Sequence, residues 1–382
     1  MNLLMICERF PPEVGGLARS GGRIASTLGR LGYGVHVLAW SRQLPPGIVE
    51  TDEVDGITLH RMGRFSNWDL TLQHSLNVMD WLHAENQFDV TWGHYLQPAG
   101  FLAVMFARRA KLKSIVSARG NDVDQLMFPP GDFARLKWTL EGATAVTSVS
   151  AELAAKIRLI SGEGFEVSIL PNVVDLETFS PGKPDISLRE KLGIKEDEVV
   201  LGFSGELRHK KGLPFLPAAL AEVRRWRPAC LLVIGEIRAR EQSALSAFAA
   251  EDEETAERIL STGHLESPTD VAAHLHLCDL VLQPSVWDGM PNSLLEAMAC
   301  KNLVLASDAG GIPEVLTHGE NGVILSKNHL NHLGAAIQET LELPLAERNK
   351  MQNAARQSIE EHFTAAHEER ALETTIRSIS QN

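Results

Sequence analysis

Short apolar runs alternate with longer helical patterns along almost the whole chain, and the alternation is interrupted once and then restarts. Runs at 1–7, 34–40, 57–61, 88–92, 113–118, 144–149 and 166–170 read as strands, with helical patterns at 18–31, 97–110 and 150–160. From 171 to 184 the chain is rich in Pro, Asp and Asn, which predicts a linker. The pattern then resumes, with strands at 198–204, 230–234, 257–262, 279–283, 302–306 and 321–325. Helices fit 212–226, 239–250, 268–276 and 292–299, and 328–380 reads as helices only. Alternation of this kind builds a mainly parallel sheet covered on both faces. The 382 residues suit two such domains rather than one core. The predicted class is therefore α/β: two Rossmann-like, doubly wound domains facing across a cleft. Ligands of such sheets bind beyond the carboxyl ends of the strands, so the cleft is the expected site.

Composition narrows the function. The formal net charge is −13, against the basic excess that a nucleic-acid partner selects. A few local cations still suffice for a phosphate ligand. Cys7, Cys230, Cys278 and Cys300 are scattered, and none forms a C-x-x-C pair. Reduced thiols in a cytoplasmic protein are expected, and no metal site. Residues 1–7 lack a basic leader and run into Glu8 and Arg9, so they read as a first strand and not as a signal peptide. No apolar run approaches the roughly 18–20 residues of a membrane helix.

The most informative stretch is Pro284-Ser-Val-Trp-Asp-Gly-Met-Pro-Asn-Ser-Leu-Leu-Glu-Ala-Met-Ala299, between a predicted strand and a predicted helix. Gly289 lets backbone approach a ligand closely. Pro291 suits the start of a helix, where its missing N–H costs nothing. Free N–H groups around Asn292 and Ser293 form an anion-accepting end. Glu296, about one turn further in, can accept hydrogen bonds from vicinal hydroxyls such as those of a ribose. Taken singly, each piece also fits an ordinary strand–loop–helix.

The whole string resembles the retaining glycosyltransferases of family 4, which have the GT-B fold. Their signature is two acids separated by seven residues, then Glu-Ala-Met-Ala and Gly-Gly-x-Pro-Glu. Here Asp288 precedes Glu296-Ala-Met-Ala299, and Gly310-Gly-Ile-Pro-Glu314 follows. The first acid is usually Glu, so Asp288 has a shorter reach. The resemblance implies that Asp288 contacts the donor sugar, that Glu296 binds the ribose, and that backbone from Gly289 to Asn292 holds sugar and phosphate.

Residues 202–213, Gly-Phe-Ser-Gly-Glu-Leu-Arg-His-Lys-Lys-Gly-Leu, match the family's phosphate clamp. Lys211 falls on its lysine, Glu206 replaces its usual arginine, and Arg208 two residues on is expected to supply the second cation. Arg and Lys at a strand end beside a helix start can neutralise a diphosphate. A solvated basic turn is the alternative for this segment alone.

Phe10-Pro-Pro-Glu-Val-Gly-Gly-Leu17 matches the family's Gly-Gly loop, so Gly15 and Gly16 are expected to reach over the donor phosphates. Gly21 and Gly22 lie early in a predicted helix, where they weaken it. His94 ends a predicted strand; the resemblance places it near the acceptor, and a hydrogen-bonded structural histidine is the other reading. Arg119 stands where the family often has a histidine that helps hold the donor sugar. An arginine is no base near neutral pH, but it can bind a diphosphate or an anionic acceptor. Asp122 contacts the acceptor or orders its loop.

The expected domains are 1–172, acceptor-binding; 185–345, nucleotide-sugar-binding; and 346–382, helices packing back towards the first. The expected reaction moves a sugar from a UDP- or GDP-sugar to a hydroxyl of a sugar or lipid-linked acceptor, with retention and without a cofactor. Arg108, Arg109, Lys111 and Lys113 suggest peripheral contact with the inner face of a membrane, or else a solvated turn. A nucleotide-sugar 2-epimerase of the same fold is one alternative, and a non-catalytic nucleotide-sugar-binding subunit is another.

Overall fold

The computed structural model describes residues 1–120 and 122–381; Asn121 and Asn382 lie outside the described residues. The chain divides into two compact units. The first holds Met1–Asn172 and the residues from Ala366 onward, and the second holds Val173–Ala365.

The first unit carries eight strands: β1 Asn2–Cys7, β2 Gly34–Ser41, β3 Val49–Val54, β4 Ile57–Gly63, β5 Val90–His94, β6 Lys113–Ala118, β7 Ala145–Ser148 and β8 Ser168–Ile169. Their order is β3-β4-β2-β1-β5-β6-β7-β8. All neighbours are parallel except β3 with β4. Alternation along β1 shows why the sheet is covered on both faces. Leu3, Met5 and Cys7 enter one apolar cluster, with Ile24, Ala25 and Leu28 of the helix Gly16–Arg30. Leu4 and Ile6 enter the other, with Val78, Met79 and Leu82 of the helix Trp68–Asn86 and Leu102, Ala103 and Phe106 of the helix Phe101–Ala110. A strand buried on both faces must be apolar throughout, which is why β1 has no polar alternation.

The second unit carries β9 Val199–Ser204, β10 Ala229–Ile234, β11 Ile259–Ser261, β12 Leu280–Gln283, β13 Val304–Ser307 and β14 Val323–Leu325. Its sheet is parallel throughout, in the order β11-β10-β9-β12-β13-β14. Chain order reverses between β9 and β12 here, and between β1 and β5 in the first sheet. These are the switch points at which such sheets take ligands.

The C-terminal return starts later than 346. The helix Leu345–His362 belongs to the second unit, and only the chain from Ala366 joins the first. There Leu372, Ile376 and Ile379 complete the cluster that holds β1. Each such burial contributes about 1.5–3 kcal/mol. Glu368, almost fully buried, accepts from the Arg23 guanidinium at 2.9 and 3.1 Å. Among the described residues, no helix is long and apolar enough to cross a membrane.

Candidate active site

In the second unit, loops after three parallel strands converge. The loop after β9 runs through Gly205 at φ 119°, Arg208, and a 3-10 turn His209–Lys211, to Gly212 at φ 99°. A Cβ at Gly212 would lie 2.5 Å from the Pro284 carbonyl oxygen, so only glycine lets this loop meet the one after β12. Val286 N–H donates to the Lys210 carbonyl at 2.8 Å and fastens the two together.

This junction delivers the Lys211 ammonium to the Asp288 carboxylate, which it holds in an ion pair. Asp288 also accepts from Gly289 N–H at 3.0 Å and from the Ser285 hydroxyl at 3.3 Å. Burial pushes the Asp288 carboxyl up, but Lys211, Lys210 and the Gly289 N–H outweigh it and hold it below its ordinary value. The loop after β13 closes the third side. Gly310 sits at φ 56°, and a Cβ there would lie 1.7 Å from the Asp288 carbonyl oxygen. Gly311 N–H donates to the Gly289 carbonyl at 2.5 Å.

Pro291 caps the helix Asn292–Ala299, one position earlier than a first helical residue. The Ser293 hydroxyl donates to Gln283 Oε1 at 3.0 Å, and Gln283 Nε2 donates to Ser285 Oγ at 2.9 Å, tying the helix start to β12. The Met290 side chain is buried, so its backbone is what it offers a ligand. Glu296 lies one turn inside, 4% exposed.

Arg208, expected as the second cation, is partly compensated. It lies 3.5 Å from Glu206, which also takes two hydrogen bonds of 2.7 Å from Arg238 beyond β10. Burial lowers the Arg208 guanidinium, against the pull of Glu206 and Asp288. Sequence reasoning missed Lys210, which burial pulls down to about 8, only partly countered by Asp288. It also missed Arg238. The Lys210-Lys211 doublet was the available signal for the first. The second depends on β9 and β10 being neighbours, which residue types do not show.

The first unit gathers the remaining candidates. Gly15, at φ 131°, is the N-cap of the helix Gly16–Arg30, a backbone that favours glycine. His94 is fully buried (0% exposed) and packs against the helix Gly16–Arg30. The Ser20 hydroxyl donates to the Leu17 carbonyl at 3.1 Å and lies 2.9 Å from His94 Nε2. Burial, with Arg119 nearby, pushes His94 well below its ordinary value, so it is neutral. This packing also accounts for the early helical glycines. A Cβ at Gly21 would meet His94 Cδ2 at 3.3 Å, and one at Gly22 would meet Pro11 Cγ at 2.8 Å.

Arg119 is buried and donates to the Leu170 carbonyl at 2.7 Å and to Asn172 Oδ1 at 2.5 Å. It ties the end of β6 to the point where the chain leaves the unit. Asp122 accepts from Leu96, Arg119 and Gly120 N–H groups at 3.1–3.3 Å and so orders the loop. Of the basic cluster, Arg108 stacks 4.6 Å from the Trp138 ring centre and Arg109 pairs with Asp80 at 2.5 Å.

Two parallel α/β units, one with an acid–lysine pair at its switch point beside an anion-accepting helix start, define a GT-B glycosyltransferase. Residues 185–358 match the family described as glycosyl transferases group 1, and residues 15–172 match the glycosyl transferase 4-like domain. The chain belongs to this glycosyltransferase family. A GDP-mannose-dependent alpha-(1-6)-phosphatidylinositol monomannoside mannosyltransferase of Mycobacterium tuberculosis is 24% identical over 89% of each chain. The D-inositol 3-phosphate glycosyltransferase of Segniliparus rotundus is 27% identical over 62% of this chain, a match spanning about half (52%) of that relative's length. The fold matches that of Anabaena Alr3699/HepE in complex with UDP-glucose, with a TM-score of 0.81 at 18% identity, over 99% of this chain and 100% of that one.

Proposed function

We propose that this glycosyltransferase takes a sugar from a UDP- or GDP-sugar bound by its second unit and transfers it, with retention, to a hydroxyl acceptor in glycolipid or polysaccharide synthesis. The Lys211–Asp288 pair at the β9–β12 switch point carries the reading. An ammonium has three donors, so Lys211 can hold Asp288 and a diphosphate oxygen together. Arg208 adds a second, partly compensated cation. Glu296 takes the ribose hydroxyls, and backbone from Gly289 to Asn292 takes sugar and phosphate. In the transfer, the C1–phosphate oxygen bond breaks while the acceptor oxygen bonds C1 on the same face. The acceptor proton passes to the leaving phosphate oxygen. Cations there act most strongly as that charge develops.

Support for a nucleotide-sugar donor comes from the names of similar proteins, one GDP-mannose-dependent and one seen with UDP-glucose. We place the reaction in the cytoplasm. For a lipid-linked acceptor, Lys111 and Lys113 are the cations of the basic cluster left to meet an anionic membrane surface.

A thermal-shift screen of UDP, GDP and their sugars tests the reading. One nucleotide series should raise the melting temperature of the wild type and raise that of Lys211→Ala by less. An identical response of both proteins to every nucleotide contradicts it.

A further inference from the structure

In the first sheet, β4, β2 and β1 lie side by side and parallel. Each delivers an arginine just past its carboxyl end: Arg64 after Gly63, Arg42 after Ser41, and Arg9 two residues after Cys7. Neighbouring strands are about 4.8 Å apart, so three guanidinium groups on long stems can converge on one ligand. They line one open pocket together with Glu8, Glu13, Trp40 and Trp68. Among the described residues, none of the three arginines is in an ion pair within 4.0 Å. Burial raises the Glu8 carboxyl, with Arg9, Arg42 and Arg64 pulling it down.

The aromatic pair supplies a wall. Trp40 is buried, and its indole N–H is committed to Ser75 Oγ at 2.9 Å. Trp68 leans edge-on against it, with ring centres 5.3 Å apart, and stays 36% exposed. Arg64 lies 5.7 Å from the Trp68 ring centre. An apolar ring, two carboxylates that accept from hydroxyls, and three planar cations that bind phosphate or carboxylate oxygens suit one ligand class.

We propose that this pocket is the acceptor subsite and that it takes a sugar or polyol bearing a phosphate or carboxylate. The anion sits on Arg9, Arg42 and Arg64, the apolar ring face lies against Trp68, and hydroxyls meet Glu8 and Glu13. The term acceptor rests on the glycosyl-transfer reading above; the binding chemistry does not.

The test is saturation-transfer NMR titration of the full chain with glucose 6-phosphate, glucuronate and glucose, with UDP and GDP titrated in parallel. At least one anionic sugar should bind at concentrations up to about 10 mM, and glucose about tenfold more weakly or not at all. The phosphate and carboxylate arms tell which anion is preferred. The double variant R42A/R64A, whose side chains lie outside the apolar core, should lose about tenfold or more in anionic-sugar affinity and keep the wild-type nucleotide affinity. Circular dichroism checks its fold, and Trp68→Leu should weaken the anionic sugars. Glucose binding as well as the anions, no saturable binding of either anion, or unchanged binding in R42A/R64A overturns the subsite. Nucleotide binding without anionic-sugar binding defeats the subsite alone. Arginine-dependent anion binding without nucleotide binding supports the subsite and defeats the transferase reading.

Discussion

Lys211, on the loop after β9, pairs with Asp288, on the loop after β12, across the switch point of the second sheet. The two residues are far apart in sequence, and glycines hold the backbones that bring them together: Gly212 against Pro284, and Gly310 against the Asp288 carbonyl. The site is thus defended by backbone geometry as much as by charge.

Gly310→Ala should damage the donor site first. The positive φ and the 1.7 Å clash force the loop away from Asp288. The expected cost is roughly 1–3 kcal/mol of stability, with loss of nucleotide affinity. Thermal melts and nucleotide titration check it; wild-type affinity in this variant would show that the closure by Gly310 and Gly311 does not shape the site.

Glu296→Gln should weaken nucleotide diphosphate binding about tenfold, because an amide is a poorer acceptor for two hydroxyls than a carboxylate. Calorimetric titration of UDP and GDP measures this, and unchanged affinity in a folded variant removes the ribose assignment.

Arg119→Met should act on stability instead of on the donor. It removes the charged donor that Arg119 offers the Leu170 carbonyl and Asn172 Oδ1. The expected loss is roughly 1.5–3 kcal/mol in denaturant unfolding, with nucleotide affinity unchanged. A large fall in nucleotide affinity at full stability would return Arg119 to the diphosphate.

Much of this was legible from residue types. The alternation of apolar runs predicted both parallel sheets, and the string from Asp288 to Glu296 marked the loop and helix at the second switch point. The edge strand β3 was not legible. Its sequence Val49-Glu-Thr-Asp-Glu-Val54 is polar and largely exposed, so no apolar face announces it. The helix Trp68–Asn86 was missed for a related reason: Trp68, Leu70 and Trp81 are exposed large apolar residues that blur its buried face. The roles of Arg119, His94 and Glu206 depend on partners from other elements, Leu170, Ser20 and Arg238, and no local pattern identifies those. Lys210 and Lys211 look alike in sequence; burial and loop geometry separate them.

Acid should destabilise the first unit partly through His60. Its Nε2 lies 3.0 Å from His36 Nδ1, and its Nδ1 lies 2.9 Å from Thr51 Oγ1. Burial first, and then His36, lower it from 6.5 to about 4, with Glu53 opposing. Between those values the unfolded chain takes up a proton that the folded chain does not. Stability is therefore complete above pH 6.5 and lost progressively as pH falls towards 4. Denaturant midpoints across this window should fall less steeply in His60→Gln than in the wild type; equal slopes would remove His60 from the transition.

The central claim is that Lys211 stabilises charge on a leaving nucleotide diphosphate. Steady-state donor turnover by Lys211→Ala, with water or an added sugar as acceptor, tests it most directly. Turnover should fall about 10²–10³-fold, more than donor affinity weakens, because the cation acts more strongly on the transition state than on the bound donor. Near-normal turnover in a folded Lys211→Ala would contradict the account and remove Lys211 from the diphosphate.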